Sequence, residues 1–404
     1  MHIVFVCREY VPTLRGGGIA SYIKETAVNL VKRGHTVTVC CASDDTREET
    51  EYSDQGVRVI RLSGGDFVIP GIEHASIIKK FRCLYRFFSY RRKILKTIET
   101  LHNVDIVEVP EFGAEAFYLT RLKIPVVIRL HTPTLLDRNN AGIKKLSIRN
   151  FYDYWVGWQE LRILPKFQYV TSCSLSLKRW FETCVPKLKS NIEVIYNSIE
   201  IDSWRSEKDR EYSEGSILYV GTVAEGKGVG DLIEACRILR SQNMSVTLHI
   251  AGKMGAYANS LKKEVDGNGE IWCTFLGNQT RGCLKDWYAQ SKVVCFPSWW
   301  ENMPLVCLEA MLAGNIVIGS SNGGMAEIIE NGKDGYLVPP HNPEKLAEYL
   351  RRALEENEAS VAQKRANAYK KIKENFSTDV ILDSLETYYL NVIEKNAASQ
   401  DIMG

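Results

Sequence analysis

The stretch PSWWENMPLVCLEAMLAG, Pro297 to Gly314, carries two glutamates eight positions apart, Glu301 and Glu309. Pro304 stands between them. A proline has no N–H to leave unpaired in a first helical turn, so a helix is expected to start between Asn302 and Pro304. Glu301 then lies in the loop before that helix, and the amides of Asn302, Met303 and Leu305 are free to meet an anion or sugar hydroxyls. Glu309, one to two turns in, can reach the same place and accept from vicinal hydroxyls. Complementing the helix dipole is worth about 0.3 to 1 kcal/mol for each acid. It does not account for the apolar PLVCL around Glu309, because a carboxylate on a buried stripe needs a partner.

Three further stretches hold residues suited to a ligand. REYVPTLRGGGIASY places Gly16, Gly17 and Gly18 before a helix, where bare backbone and free N–H groups suit a phosphate; a ligand-free glycine turn is the plain alternative. It is neither G-x-G-x-x-G nor a P-loop. GTVAEGKGVGDLIEA puts Lys227 in a loop before another helix, as a point charge for a phosphate or as a solvated lysine. IRLHTPT leaves His131 at the end of a buried strand, either reaching a ligand or satisfied within the core.

The elements that must position these residues follow a βαβ rhythm. HIVFVC, HTVTVCC, VRVIRL, VDIVEVP and IPVVIRLH are short Val- and Ile-rich runs separated by amphipathic segments. The rhythm restarts at SILYVGTV and continues through SVTLHIAGK, CTFLGN, VVCFPS and NIVIGS. Two successive doubly wound parallel sheets are expected, with a polar linker near Asn197 to Gly215. STDVILDSLETYYLNVIEKN reads as a capped amphipathic helix that either finishes the second unit or returns to the first.

Bulk properties agree with two domains. A chain of 404 residues exceeds one ordinary core, domains being about 100 to 200 residues. With 51 basic and 49 acidic residues, the net charge of +2 gives no global pull toward nucleic acid. The eleven cysteines form no C-x-x-C pair, so neither a zinc site nor a disulfide framework is indicated. No secretory leader and no apolar run of about 18 residues stands out, and a cytoplasmic location is expected.

Together these residues resemble the retaining glycosyltransferases of family 4, which have the GT-B architecture. The likeness spans nearly the whole chain, and is strongest in ENMPLVCLEAMLAGNIVIGSSNGGMAEIIENGKDGYLVPP, similar to the family's E-x7-E segment and the glycine-rich stretch after it. The resemblance implies an α/β fold of two Rossmann-like domains facing a cleft. Residues 1–197 would bind the acceptor and 198–375 the nucleotide sugar, with 376–404 crossing back. By the same resemblance Glu301 would bond the donor sugar's hydroxyls, the amides of Asn302, Met303, Pro304's neighbours and Leu305 would hold sugar and phosphates, and Glu309 would take the ribose. Gly17, beside Gly16, would meet the distal phosphate, Lys227 the diphosphate, and His131 the sugar; Leu276 and Gly277 of FLGN would flank the base.

One departure stands out: the family usually has an arginine where this chain has Thr222, in VGTVAEGKG. Losing a charge-assisted contact of about 1.5 to 3 kcal/mol weakens donor binding unless it is replaced, with Arg15 or Arg129 as substitutes. The implied chemistry is transfer from a nucleoside diphosphate sugar, UDP-sugar favoured, to a hydroxyl of a glycan, lipid-linked or small-molecule acceptor, with retention. No metal or other cofactor is expected, there being no acidic D-x-D motif at a strand end. An epimerase of the same architecture would need an acid/base set that is not visible, a nicotinamide enzyme would need the missing G-x-G-x-x-G, and a sugar-nucleotide-binding protein without turnover would fit Thr222. SIIKKFRCLYRFFSYRRKILK, residues 76–96, holds eight basic and no acidic residues with aromatics at helical spacing. It is either a peripheral membrane contact or a helix packed through its aromatic face. RNFYDYWVGWQELR is an acceptor wall or core.

Overall fold

The computed structural model describes residues 1–13, 17–44, 48–66, 77–136, 151–188, 191–204 and 212–403. The chain divides into two units, one built from residues up to 198 together with 381–404, the other from 199–380. Each is α/β and centres on its own sheet.

The first sheet has eight strands: β1 His2–Val6, β2 Thr36–Ala42, β3 Thr50–Asp54, β4 Val57–Leu62, β5 Ile106–Pro110, β6 Val126–Leu130, β7 Tyr169–Ser172 and β8 Ile192–Val194. Their order is β3-β4-β2-β1-β5-β6-β7-β8, and all pairings are parallel except β3 on β4. β1, β5, β6 and β7 are buried almost end to end, the pattern of a sheet covered on both faces. One cover is the helix Gly18–Lys32, which turns Ala20, Tyr22, Ile23, Ala27 and Leu30 inward. Another is the C-terminal helix Thr378–Met403, whose Ile381, Leu382, Leu385, Tyr389 and Val392 join the same core. Tyr389 pins that helix by donating to Glu108 Oε2 in β5 at 2.7 Å, and Arg33 binds Asp383 and Glu386 at 2.6 and 2.8 Å.

The second sheet is wholly parallel, in the order β11-β10-β9-β12-β13-β14. Its strands are β9 Ser216–Val220, β10 Thr247–Ala251, β11 Cys273–Gly277, β12 Val293–Phe296, β13 Ile316–Ser320 and β14 Tyr336–Val338. From β9 the chain runs outward on one side through β10 and β11, then returns to place β12 on the other. In open parallel sheets the reversal leaves a crevice beyond the carboxyl ends of the two central strands, and ligands bind there. In this unit that point lies between β9 and β12. In the first unit it lies between β1 and β5.

Candidate active site

Lys227 follows β9 and Glu301 follows β12, so the two residues stand on either side of the reversal. Lys227 Nζ meets Glu301 Oε1 at 2.5 Å, and Ser298 Oγ donates to the same oxygen at 3.0 Å. The backbone fixes this approach. Gly228 has φ +67, and a Cβ there would lie 2.1 Å from the carbonyl oxygen of Pro297, so only glycine lets the two loops touch. Next to it, Trp299 N donates to Gly226 O at 2.9 Å, and Trp299 Nε1 reaches Asp231 at 3.3 Å. From the far side Gly324 N donates to Glu301 O at 2.7 Å, with Gly323 at φ +74 where a Cβ would be 2.1 Å from that same oxygen. The glycine pair in SSNGGM therefore holds the backbone of Glu301.

The helix after Glu301 runs from Leu305 to Leu312, with Pro304 as its N-cap in an extended conformation. It begins one residue beyond the range the sequence suggested, because the extended ψ of Pro304 leaves that residue outside the helical turn. Asn302 and Met303 are buried and Leu305 is half-buried. Cys307 N already donates to Pro304 O, which leaves Leu305 and Val306 as first-turn amides without an acceptor inside the helix. Glu309 is half-buried and has a partner within the protein: Tyr288 Oη donates to Glu309 Oε2 at 3.3 Å. Burial and the neighbouring Glu309 carboxylate raise the Tyr288 phenol well above its ordinary value, so it stays a donor.

Thr222 is exposed, and its carbonyl accepts from Tyr219 Oη at 2.9 Å. The loop after β10 runs beside it: Val223 N donates to Lys253 O at 3.2 Å, and the Lys253 side chain is exposed. Leu276 and Gly277 end β11, two strands out from β9; Leu276 O accepts from Gln279 Nε2 at 2.7 Å, and Gly277 has φ +68 with open space where a Cβ would stand. Lys227, Thr222, Leu276, Gly277, Glu301 to Leu305 and Glu309 thus all fall at the carboxyl end of one sheet or on the first turns beyond it.

In the first unit Gly17 is the N-cap of the Gly18–Lys32 helix, and nothing lies within 4 Å of where its Cβ would be. Gly16 and Arg15 lie outside the described residues. His131 is buried directly after β6. Its N donates to Glu111 Oε2 at 2.8 Å, its ring stands edge-on to Tyr22 at 5.1 Å, and Nε2 has no hydrogen-bond partner. Burial, with Arg129 as the second cause, holds the imidazole well below its ordinary pKa, so it is neutral. Arg129 stacks over Tyr22 at 4.3 Å and gives Nη2 to Ile195 O and Asn197 Oδ1 at 2.9 and 3.1 Å. It is a buried cation bonded within its own unit.

Sequence reasoning overlooked several partners. Ser298 sits three residues before Glu301 and was legible as a neighbour. Tyr288 comes from another helix, and Gly228, Gly323 and Gly324 acquire their roles only through loop contacts. Glu111 was also overlooked: burial and nearby Glu160 push its carboxyl up to about 8, and its Oε1 has no partner.

With this geometry in hand, comparisons with known proteins converge. Residues 200–374 match the family of glycosyl transferases group 1, and residues 16–203 match glycosyltransferase family 4. An uncharacterized glycosyltransferase of Methanocaldococcus jannaschii is 27% identical, over 98% of this chain and 99% of its own. Sucrose-phosphate synthase from Thermosynechococcus elongatus superposes with a TM-score of 0.79 at 19% identity, over 98% of this chain and 99% of that one. HepE of Anabaena, whose structure is a complex with UDP and glucose, has a TM-score of 0.67 at 18% identity, over 96% and 98%.

Proposed function

The chain belongs to glycosyltransferase family 4, with the GT-B fold, and from that premise we propose that it moves a sugar from a nucleoside diphosphate to a hydroxyl with retention at the anomeric carbon. The observation that carries this reading is the Lys227–Glu301 pair at the β9/β12 reversal, beside the first turn of the Leu305–Leu312 helix.

The pair is suited to exchange. The Lys227 and Glu301 side chains are 35% and 20% exposed, so their attraction is screened and worth about 0 to 1 kcal/mol. A charge-assisted bond from lysine to a phosphate is worth about 1.5 to 3 kcal/mol. A diphosphate arriving at the loop therefore takes Lys227, and Glu301 is released to accept from sugar hydroxyls. Glu309 serves the ribose diol, with Tyr288 fixing one of its oxygens. In the first unit, His131 Nε2 is an acceptor for a sugar hydroxyl and the Gly17 amide a donor to phosphate.

No side chain is assigned as a nucleophile. The bond from the anomeric carbon to the diphosphate oxygen breaks as the acceptor oxygen forms its bond on the same face, and the departing diphosphate oxygen takes the acceptor's proton. Lys227 and the first-turn amides stabilise the charge that develops on the leaving group. The reaction is proposed to need no metal. UDP is the first nucleotide to test, because the HepE structure holds UDP and glucose. The acceptor is a hydroxyl of a glycan, a lipid-linked sugar or a small molecule.

The deciding experiment pairs thermal shift with turnover. A nucleoside diphosphate should stabilise the wild type with or without magnesium, and Glu309→Ala should lose that response. Lys227→Ala and Glu301→Ala should each cut transfer by about a hundredfold or more while remaining folded. Wild-type turnover in either variant would overturn the site; abolition of transfer by a chelator would overturn the metal-free mechanism. A protein that binds the nucleotide but never releases it from a sugar donor would favour the second reading, a sugar-nucleotide-binding protein, for which Thr222 at the usual arginine position speaks.

A further inference from the structure

The helix Ile77–Glu99 does not pack as one aromatic face against the core with a basic face in water. Phe87, Tyr90 and Arg91 are buried, whereas Tyr85 is 75% exposed and Phe88 38% exposed. The neighbouring helix Phe151–Ile163 repeats the division: Tyr152, Val156 and Glu160 are buried, and Trp158 is 68% exposed. The two outer faces join. Phe88 stands edge-on to Trp155 at 5.9 Å and to Phe117 at 5.6 Å, and Trp158 follows one turn after Trp155.

Arginines frame this aromatic surface. Arg92 and Arg121 both lie over Tyr118, 5.6 and 5.2 Å from its ring, and Tyr118 abuts Phe117. Arg82 is exposed one turn before Tyr85, and Arg162 is exposed one turn after Trp158. Among the described residues of these helices, acids do not offset them. The first helix has none before Glu99, while Glu115 and Glu160 are buried and Asp153 is half-buried. Large aromatic rings in water, flanked by arginines whose stems can lie flat, are the composition of a surface that rests at a lipid interface.

We infer that the outer faces of these two helices form a plate that seats on an anionic lipid bilayer. Charge decides between this and a second copy of the chain. A two-fold contact would press the patch against itself and crowd Arg82, Arg92, Arg121 and Arg162 together with the same four arginines of the second copy. A bilayer rich in anionic headgroups instead supplies the opposite charge and a bed for the rings. Among the described residues no helix is long and apolar enough to cross a membrane, so the contact is peripheral.

The plate is also wired to the ligand end of its own sheet. Beneath it Arg91 donates to Asp66 at 2.9 Å and to the carbonyls of Gly113 and Ala114, and Tyr152 bonds the same Asp66. Glu160 takes Gly113 N at 2.6 Å and Thr134 N at 2.8 Å, three residues beyond His131. Resting on the proposed transfer reaction, this connection makes a lipid-linked acceptor the substrate class to expect.

The test uses the full chain without donor, so that it does not depend on catalysis. The protein should co-sediment at low salt with vesicles of phosphatidylglycerol and phosphatidylcholine, and not with phosphatidylcholine alone or at high salt. Each arginine removed, Arg82→Gln or Arg92→Gln, should weaken binding about fivefold. Tyr85→Ser with Trp158→Ser should weaken it further while the nucleotide-induced thermal shift stays as in wild type, which shows that the variants fold. Binding that ignores lipid charge, or that survives both sets of changes, would overturn the plate. So would a wild-type dimer that the aromatic changes turn into a monomer without altering vesicle binding. Should vesicle binding hold while no sugar transfer occurs, the bilayer contact stands and the transferase reading fails.

Discussion

The ligand ends of the two sheets handle charge in opposite ways. In the second unit Lys227 and Glu301, paired across touching backbone loops at the reversal, are both partly exposed, and half-buried Glu309 accepts from buried Tyr288. In the first unit the comparable end is filled with ionisable groups that are buried, apart from Arg8, whose side chain is 14% exposed. Arg8 meets Glu115, Arg91 meets Asp66, and Glu111 and Glu160 lie in the same interior. The exchange proposed for Lys227 and Glu301 requires a pair that is weak and accessible, as this one is. A scaffold that must fix the loop around His131 uses buried pairs that are costly to break.

This contrast is most open to attack through stability. Removing one member of a buried pair leaves the other uncompensated and costs about 3 to 5 kcal/mol, so Arg91→Ala should lower the melting temperature sharply. Lys227→Ala should cost no more than about 1 kcal/mol, because its pair is screened. Comparable losses in denaturant titrations of the two variants would erase the distinction.

Acidity sharpens it. The Glu111 carboxyl is pushed up to about 8 and Glu115 up to about 7, chiefly by burial, so the folded protein holds protons that the unfolded chain has released. Stability from these groups is complete below the ordinary carboxylate range and is lost as pH rises through about 8. His131 acts on the acid side: its depressed pKa means that stability falls as pH drops below the ordinary imidazole value. Glu111→Gln, which keeps a neutral group in place, should flatten the fall in melting temperature between about pH 5 and pH 8. An unchanged slope would show that Glu111 is already ionised in the fold.

These differences also govern what could be read from sequence. Glu301, Glu309 and Lys227 were visible because strand, loop and helix start are contiguous in the chain, and the alternating pattern placed them at a sheet's carboxyl end. The parallel sheets were visible for the same reason. The buried network was not. Arg91 stood within a run of eight basic residues that looked like one solvated face, although Phe87, Arg91, Ile94 and Ile98 fall at inward helical spacing. Its partner Asp66 is 25 positions away, a pairing that only tertiary packing creates. Likewise the outward aromatics could not be separated from the inward ones, since Phe87 and Phe88 are adjacent and differ only in which side of the helix meets the protein.

The smallest effect concerns the position where the family's usual arginine is absent. Thr222 brings no charge, and the neighbouring loop presents Lys253 through the hydrogen bond between Lys253 O and Val223 N. Lysine on a flexible stem is a weaker and less directional phosphate ligand than arginine. If Lys253 carries part of the missing charge, Lys253→Ala should raise the donor KM several-fold with kcat little changed, the signature of lost ground-state binding. Thr222→Arg in the same background should restore it, because a guanidinium at that loop replaces the ammonium. A Lys253→Ala enzyme with wild-type KM, combined with a Thr222→Arg enzyme that binds donor more tightly, would show that this site works with Lys227 as its sole side-chain cation and gains when the second is supplied.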